Sequence, residues 1–343
     1  MNLLTRIFRF LIGGKQFSPK TSVKESAGLS HKKSHFELSN GWLTLIDPDF
    51  FGKTYLSPNQ KLCVACSDYD GAGTGGFREK GYGRVILFDC LADKIIHELS
   101  HIARPVDSAV ADNGAYIVHD SGFGSELQGD LIAVGRDGCE IYRRHYTSNI
   151  HNIGLSNCGR YAAVQTCNAP GEDGNHLEVL DLNRRCSIFF VQPVTGWADK
   201  YIFEVDADGE LEAFFVEHEQ LGTFRYARDG MFLDVEQFLD AQLQKGNFST
   251  KISAARELLK KDPTPANAKK ALNAADAALA EGAGERSDWG AIAHRVRGEA
   301  YDLLSHFPEA LNAYEKALAL NSKVGVQKRA AALRKKLDAS GAV

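Results

Sequence analysis

One phrase, written three times, constrains this chain more than anything else in it. The copies are LSPNQKLCVACS (Leu56 to Ser67), VADNGAYIVHDS (Val110 to Ser121) and LSNCGRYAAVQT (Leu155 to Thr166). Each is a turn cluster, an alternating β-prone run and a polar end, followed by a glycine- or asparagine-rich loop and a second β run. A unit of this kind cannot bury its apolar face alone, so it must stack on its neighbours in a repeat architecture. Leu62, Tyr116, Tyr161 and Tyr201 read as equivalent positions, 54, 45 and 40 residues apart. Turn signals separate the short runs from Trp42 to Tyr226: Pro58-Asn59, Asp112 to Gly114, Asp137-Gly138, Asp206 to Gly209 and Asp229-Gly230. Many short strands so punctuated form a sandwich, a barrel or a radial array of small sheets.

A period of about 40 residues with about four strands per unit selects a β-propeller, with a β-sandwich as the alternative. The stretches SPNQKLCVA and VILFDCLADKII resemble blade openings of WD-repeat-like propellers. No Trp-Asp pair closes a blade, and the repeats fill only residues 36–234, so the resemblance implies a small or irregular propeller. After Asp234 the texture changes to Ala, Leu, Lys and Glu at helical spacing. ALNAADAALAEG (Ala271 to Gly282) is echoed by ALNAYEKALALN (Ala310 to Asn321), 39 residues later. The second copy, with Gly298, Tyr301, Ala310, Tyr314 and Ala317 at small and aromatic positions and Pro308 opening its second helix, resembles a tetratricopeptide repeat. The expected organisation is a basic segment and linker (1–35), a mostly β, propeller-like domain (36–234), a connecting helix (235–249) and an α-helical tetratricopeptide-like domain with a cap helix (250–343).

Charge is segregated along this plan. Lys and Arg against Asp and Glu number 7 to 2 over residues 1–40, 17 to 31 over 41–250, and 16 to 11 over 251–343. An acidic β domain argues against nucleic acid as its partner. The seven cysteines are an odd, scattered set that reads as free thiols in a reducing, cytoplasmic setting. Within residues 1–12, Leu3, Leu4, Ile7, Phe8 and Leu11 share a helical face. Contact with a membrane surface through that face is the alternative to a frayed terminus, which is the favoured reading.

Chemistry has two sharp candidates. In His97-Glu98-Leu99-Ser100-His101 the two histidines would share one face of a helix and hold zinc, with Glu98 as the general base of a hydrolase. On a strand, Glu98 would point away from both, and the position between two β runs favours the strand. In the loop Asp68 to Glu79, residues Asp68, Asp70, Gly73 and Glu79 fall at calcium-loop positions, but Ala72 removes one oxygen ligand and strands flank the loop. A calcium- or small-ligand-binding propeller is therefore a further alternative.

The broader expectation is an interaction protein without catalytic residues or cofactor. The loops after the repeated runs should project on one face, where Asp68, Asp70, His119, Asp120, Gln165, Asn168 and Glu172 would form an acidic rim. The tetratricopeptide resemblance adds an inner groove presenting Ile292, Arg295, Glu299 and Asp302 to a peptide or helix of another protein. Fold alone does not decide among these.

Overall fold

The computed structural model describes residues 36–341 apart from positions 70, 71, 73, 74 and 77 of one loop. The expected membrane-facing segment, Asp70 and Gly73 lie outside the described residues. Four antiparallel meanders follow one another along the chain. The first sheet is β1 (Phe36–Ser39), β2 (Trp42–Leu45), β3 (Phe50–Leu56), β4 (Leu62–Ser67), β5 (Gly83–Asp89) and β6 (Lys94–Ile102), paired in that order. The second is β7 (Pro105–Val110), β8 (Tyr116–Asp120), β9 (Gly129–Val134) and β10 (Glu140–Tyr146), and the third is β11 (Ile150–Leu155), β12 (Tyr161–Thr166), β13 (Leu177–Asp181) and β14 (Cys186–Val191). The fourth has three strands, β15 (Lys200–Val205), β16 (Leu211–His218) and β17 (Gly222–Tyr226). Successive sheets meet through β3 and β4 with β7, β7 with β11, and β11 with β15, as blades do around an axis. The β part is propeller-like, and the sandwich alternative is set aside.

The blades stack because their middle strands are apolar on both faces. In β8, Tyr116 and Val118 pack toward the first sheet with Leu62, Val64 and Val85, while Ile117 packs toward the third with Ala162 and Val164. Such strands read as continuous apolar runs, which is why the repeated phrases stand out. The structure corrects the fourth repeat position. Leu211, which opens β16, is the counterpart of Leu62, Tyr116 and Tyr161, and it lies 50 residues after Tyr161. Tyr201 belongs to the strand before it.

The two ends of the array are finished differently. The far face of the first sheet, with Cys63, Ala65, Ile86 and Phe88, is covered by Leu43, Leu45 and Phe50 of the same sheet. The sheet coils far enough for Phe36 of β1 to reach Phe88 of β5, with ring centroids 4.8 Å apart. The far face of the fourth sheet is polar: Lys200 lies 3.8 Å from Glu217, Arg225 stands over the Phe215 ring, and Glu204 pairs across from Ala213. Terminal repeats need such an outer face. Among the described residues, no apolar cluster joins the first sheet to the fourth.

Six helices complete the chain: α1 (Val235–Lys245), α2 (Phe248–Lys261), α3 (Pro265–Ala280), α4 (Ser287–Leu303), α5 (Phe307–Leu320) and α6 (Gln327–Ser340). Asn247 caps α2 by accepting from Thr250 N at 3.0 Å, and Thr264 caps α3 ahead of Pro265. Phe238 of α1 packs against Phe224 and Phe232 with centroids 4.9 and 5.8 Å away. The helices thus continue from the last blade, and residues 35–343 form one compact unit. α2 with α3 and α4 with α5 form hairpins. A Cβ on Gly298 would sit 2.4 Å from the buried Tyr314 ring, so glycine lets α4 and α5 approach. That packing is consistent with a tetratricopeptide-like hairpin.

Candidate binding face

The strands of each blade run between a turn end and a loop end. At the turn end the first two strands are joined by tight connections closed by Ser57 N to Leu62 O (2.9 Å), Ser156 N to Tyr161 O (2.8 Å) and Asp206 N to Glu210 O (2.9 Å). These turns are stitched to one another. Asp112 Oδ1 accepts from Asn59 N at 2.9 Å, and Asn113 Nδ2 donates to Cys158 O at 2.8 Å. Arg160 donates to Gly209 O at 2.8 Å and lies 2.7 Å from Asp181 and 2.9 Å from Glu210. Turn residues that bond their own and neighbouring backbone leave little for a ligand.

The loop end is built from longer segments held at their bases by buried polar groups. Arg78 is buried and donates to Asp68 O (2.8 Å), Asp68 Oδ1 (2.7 Å) and Ala103 O (2.6 Å). Asp68 Oδ2 accepts from Gly76 N at 2.7 Å. Asp120 is buried and accepts from Ala103 N (3.0 Å), Arg104 N (2.7 Å) and Gly122 N (2.9 Å). Gln165 is buried, donates to Gly196 O at 2.7 Å and accepts from Ala198 N at 2.9 Å and Tyr201 OH at 3.1 Å. The loop 167–176 is anchored by Asp173, which accepts from Thr147 N at 2.8 Å and lies 3.1 Å from Arg144.

The expected acidic rim therefore divides in two. Asp68, Asp120 and Gln165 face inward as supports, whereas Asn168 and Glu172 are exposed. His119 is buried beside Asp120, with Nε2 3.3 Å from Ser121 Oγ. Burial pushes its pKa down to about 4, against the opposite pull of Asp120, so the ring is neutral at pH 7. It borders a cleft of about 450 Å³ with Arg104, Ser121, Glu126, Asn149 and His151. Arg104 Nε is buried there without a hydrogen bond, 4.0 Å from Asp68 Oδ2.

Aromatic side chains surround this end, and sequence reasoning passed over them. His151 stacks on Trp197 at 4.8 Å, Tyr82 meets Phe123 at 5.5 Å, and His176 stacks on Phe190 at 4.1 Å. Trp197, Tyr82 and Tyr69 are each about half exposed (47%, 49% and 53%). Their only signal was an aromatic residue inside a loop whose turn chemistry did not need one.

The His-Glu-x-x-His match lies on β6, an outer strand. His97 Nε2 is 2.8 Å from Tyr116 OH and its Nδ1 is 3.2 Å from Arg136 O. Glu98 is taken by Arg84 at 2.5 Å, and His101 is exposed beside Ser100. The zinc alternative needed His97 and His101 on one helical face, and the strand removes that face. In the calcium-loop match, both oxygens of Asp68 are engaged by Arg78 and Gly76 N. No group of three His, Cys, Asp or Glu side chains among the described residues is placed to hold a metal. No helix among them is long and apolar enough to cross a membrane.

On the helices, the expected groove residues are largely covered. Arg295 donates to Glu299 Oε1 at 3.0 Å and to Val324 O at 2.9 Å, and Arg329 of α6 reaches Glu299 at 3.0 Å. Ile292 packs with the partly buried Trp289 and Phe248, and Asp302 is half-buried near Tyr314 and Arg329. The cap helix closes over the surface that the resemblance assigned to a peptide.

No family model matches the chain, and no curated protein matches it. Among solved structures, hydrazine synthase of Kuenenia stuttgartiensis aligns with a TM-score of 0.35 and 11% identity over 55% of this chain and 65% of that one. The β-propeller domain of Cps50 (Swd1) from Myceliophteria thermophila gives 0.34 and 9% over 51% and 50%. BamB from Moraxella catarrhalis gives 0.33 and 14% over 53% and 47%. The aligned part spans about half to two-thirds of each of these proteins.

Proposed function

We propose that this chain is a non-catalytic interaction scaffold that recognises another protein through the loop end of its blades, with the tetratricopeptide-like helices extending the last blade. The observation that carries the reading is the contrast between the ends. Exposed Trp197, Tyr82 and Tyr69 sit on loops whose bases are fixed by buried arginine, aspartate and glutamine, while the turn end spends its polar groups on itself. Rigidly supported aromatic residues beside a polar cleft are the composition of interface anchors. The zinc-hydrolase candidates support the non-catalytic reading, because His97 and Glu98 are occupied by Tyr116 and Arg84.

The test is co-purification from native cells with the full chain, the double variant Trp197→Ala/Tyr82→Ala, and the turn-end control Leu91→Ser. A stoichiometric partner retained by the control and lost from the double variant is expected. A partner retained equally by all three chains overturns the assignment to the loop end.

A further inference from the structure

The first sheet carries a second aromatic surface, separate from the cleft beside His119. Trp42 of β2 and Phe51 of β3 point away from the core formed by Leu43, Leu45 and Phe50. Their rings stack in parallel, with centroids 4.7 Å apart and planes 2° apart, yet they are 42% and 58% exposed. At the matching level of the next two blades the inner strands carry Asp107 and Asn152 instead. The stacked pair lines a groove of about 320 Å³ together with Lys53, Tyr69, Pro105 and Val106, and Asp68 sits in the same lining. Lys53 is drawn over the Tyr55 ring, its Nζ 4.9 Å from the centroid.

Three properties of the groove decide what fits it. β2 and β3 are interior strands of a six-stranded sheet, paired on both sides, so an incoming strand finds no free edge to extend. The lining is dominated by flat rings and aliphatic surface, which suits a segment whose backbone asks for no hydrogen bonds from its receptor. A polyproline II helix is such a segment, preformed and docked by aromatic-lined grooves. Charge selects its flanks, since Asp68 belongs to the lining and residues 41–250 carry 31 acidic against 17 basic side chains.

We propose that the groove beside Trp42 and Phe51 binds a proline-rich, basic-flanked segment of another protein. The proposal rests on the scaffold reading and adds a second contact to it. Trp42 reports the event once the other two tryptophans are replaced (Trp197→Phe and Trp289→Phe) in the full chain. The probes are an array of decapeptides with prolines three residues apart and basic, neutral or acidic flanks, and the same peptides with alanine for proline. Saturable blue-shifted fluorescence is expected with basic-flanked proline peptides, weakened at least tenfold by proline-to-alanine replacement and at least tenfold by Phe51→Ser. Leu91→Ser at the turn end should change neither.

An unmoved Trp42 signal across the array, or equal response to the alanine peptides, overturns the proposal. So does a preference for acidic flanks. A concentration-dependent shift without peptide, matched by a dimer in sedimentation, assigns the groove to a second copy and overturns it as well. The scaffold reading fails separately, through a native partner that ignores the loop-end variants, whatever Trp42 reports.

Discussion

The turn end and the loop end of the blades are made from the same strands, yet they use their polar residues in opposite ways. At the turn end, Asp112, Asn113 and Arg160 bind the neighbouring turn directly, so the contacts are local and many. At the loop end, single buried groups (Arg78, Asp120 and Gln165) each hold several backbone atoms, and the residues beyond them are left exposed. Distributed contacts tolerate losses. Concentrated ones do not, and they are what lets a long loop stand in one place.

Four substitutions test that contrast, from the largest effect to the smallest. Arg78→Ala leaves Asp68 without its guanidinium in a largely buried site and should cost about 4 kcal/mol, read from the urea midpoint. A loss below about 1 kcal/mol would show that the loop does not hang on this residue. His119→Gln acts through pH. The folded-state pKa of about 4 lies below the ordinary 6.5, so the unfolded chain binds a proton first as pH falls. The stability associated with neutral His119 is present above pH 6.5 and is lost progressively toward pH 4, by about 3 kcal/mol on the linkage scale. In His119→Gln the fall in stability between those limits should be smaller by that order, and an unchanged pH profile would contradict the burial argument.

Arg160→Ala, at the turn end, removes bonds to Asp181, Glu210 and Gly209 O at once and should cost about 2 kcal/mol. Asp112→Ala breaks one exposed link to Asn59 N and should cost about 0.5 kcal/mol. If Asp112→Ala proved as costly as Arg78→Ala, the two ends would not differ in the way described.

The strands that sequence reading found and missed follow one rule. The middle strands β4, β8 and β12 are buried on both faces and announce themselves as the repeated apolar runs. The inner strands β3, β7 and β11 escaped, because FFGKTYL, PVDSAV and IHNIGL place Lys53, Asp107 and Asn152 toward the axis and break the apolar pattern. Missing them also displaced the fourth repeat onto Tyr201. The helical hairpin was legible from Gly298 and Tyr314, whose contact needs both a missing Cβ and a ring. The site was legible only as loops. Which loop residues turn inward depends on distant partners: Asp68 on Arg78, ten positions on, and Gln165 on Ala198 and Tyr201. Local composition does not encode those pairings.

The coiled first sheet and the polar last face have a consequence for how the molecule comes apart. In a closed ring every blade is clamped from two sides, and none can leave without breaking two interfaces. Here the first and fourth sheets each share an apolar core with only one neighbouring sheet. Unfolding is therefore free to start at a terminus and proceed blade by blade, as in a linear array with nearest-neighbour coupling. Hydrogen exchange should then grade along the chain, slowest in β8 and β12 and faster toward both ends, where a ring would protect all blades alike.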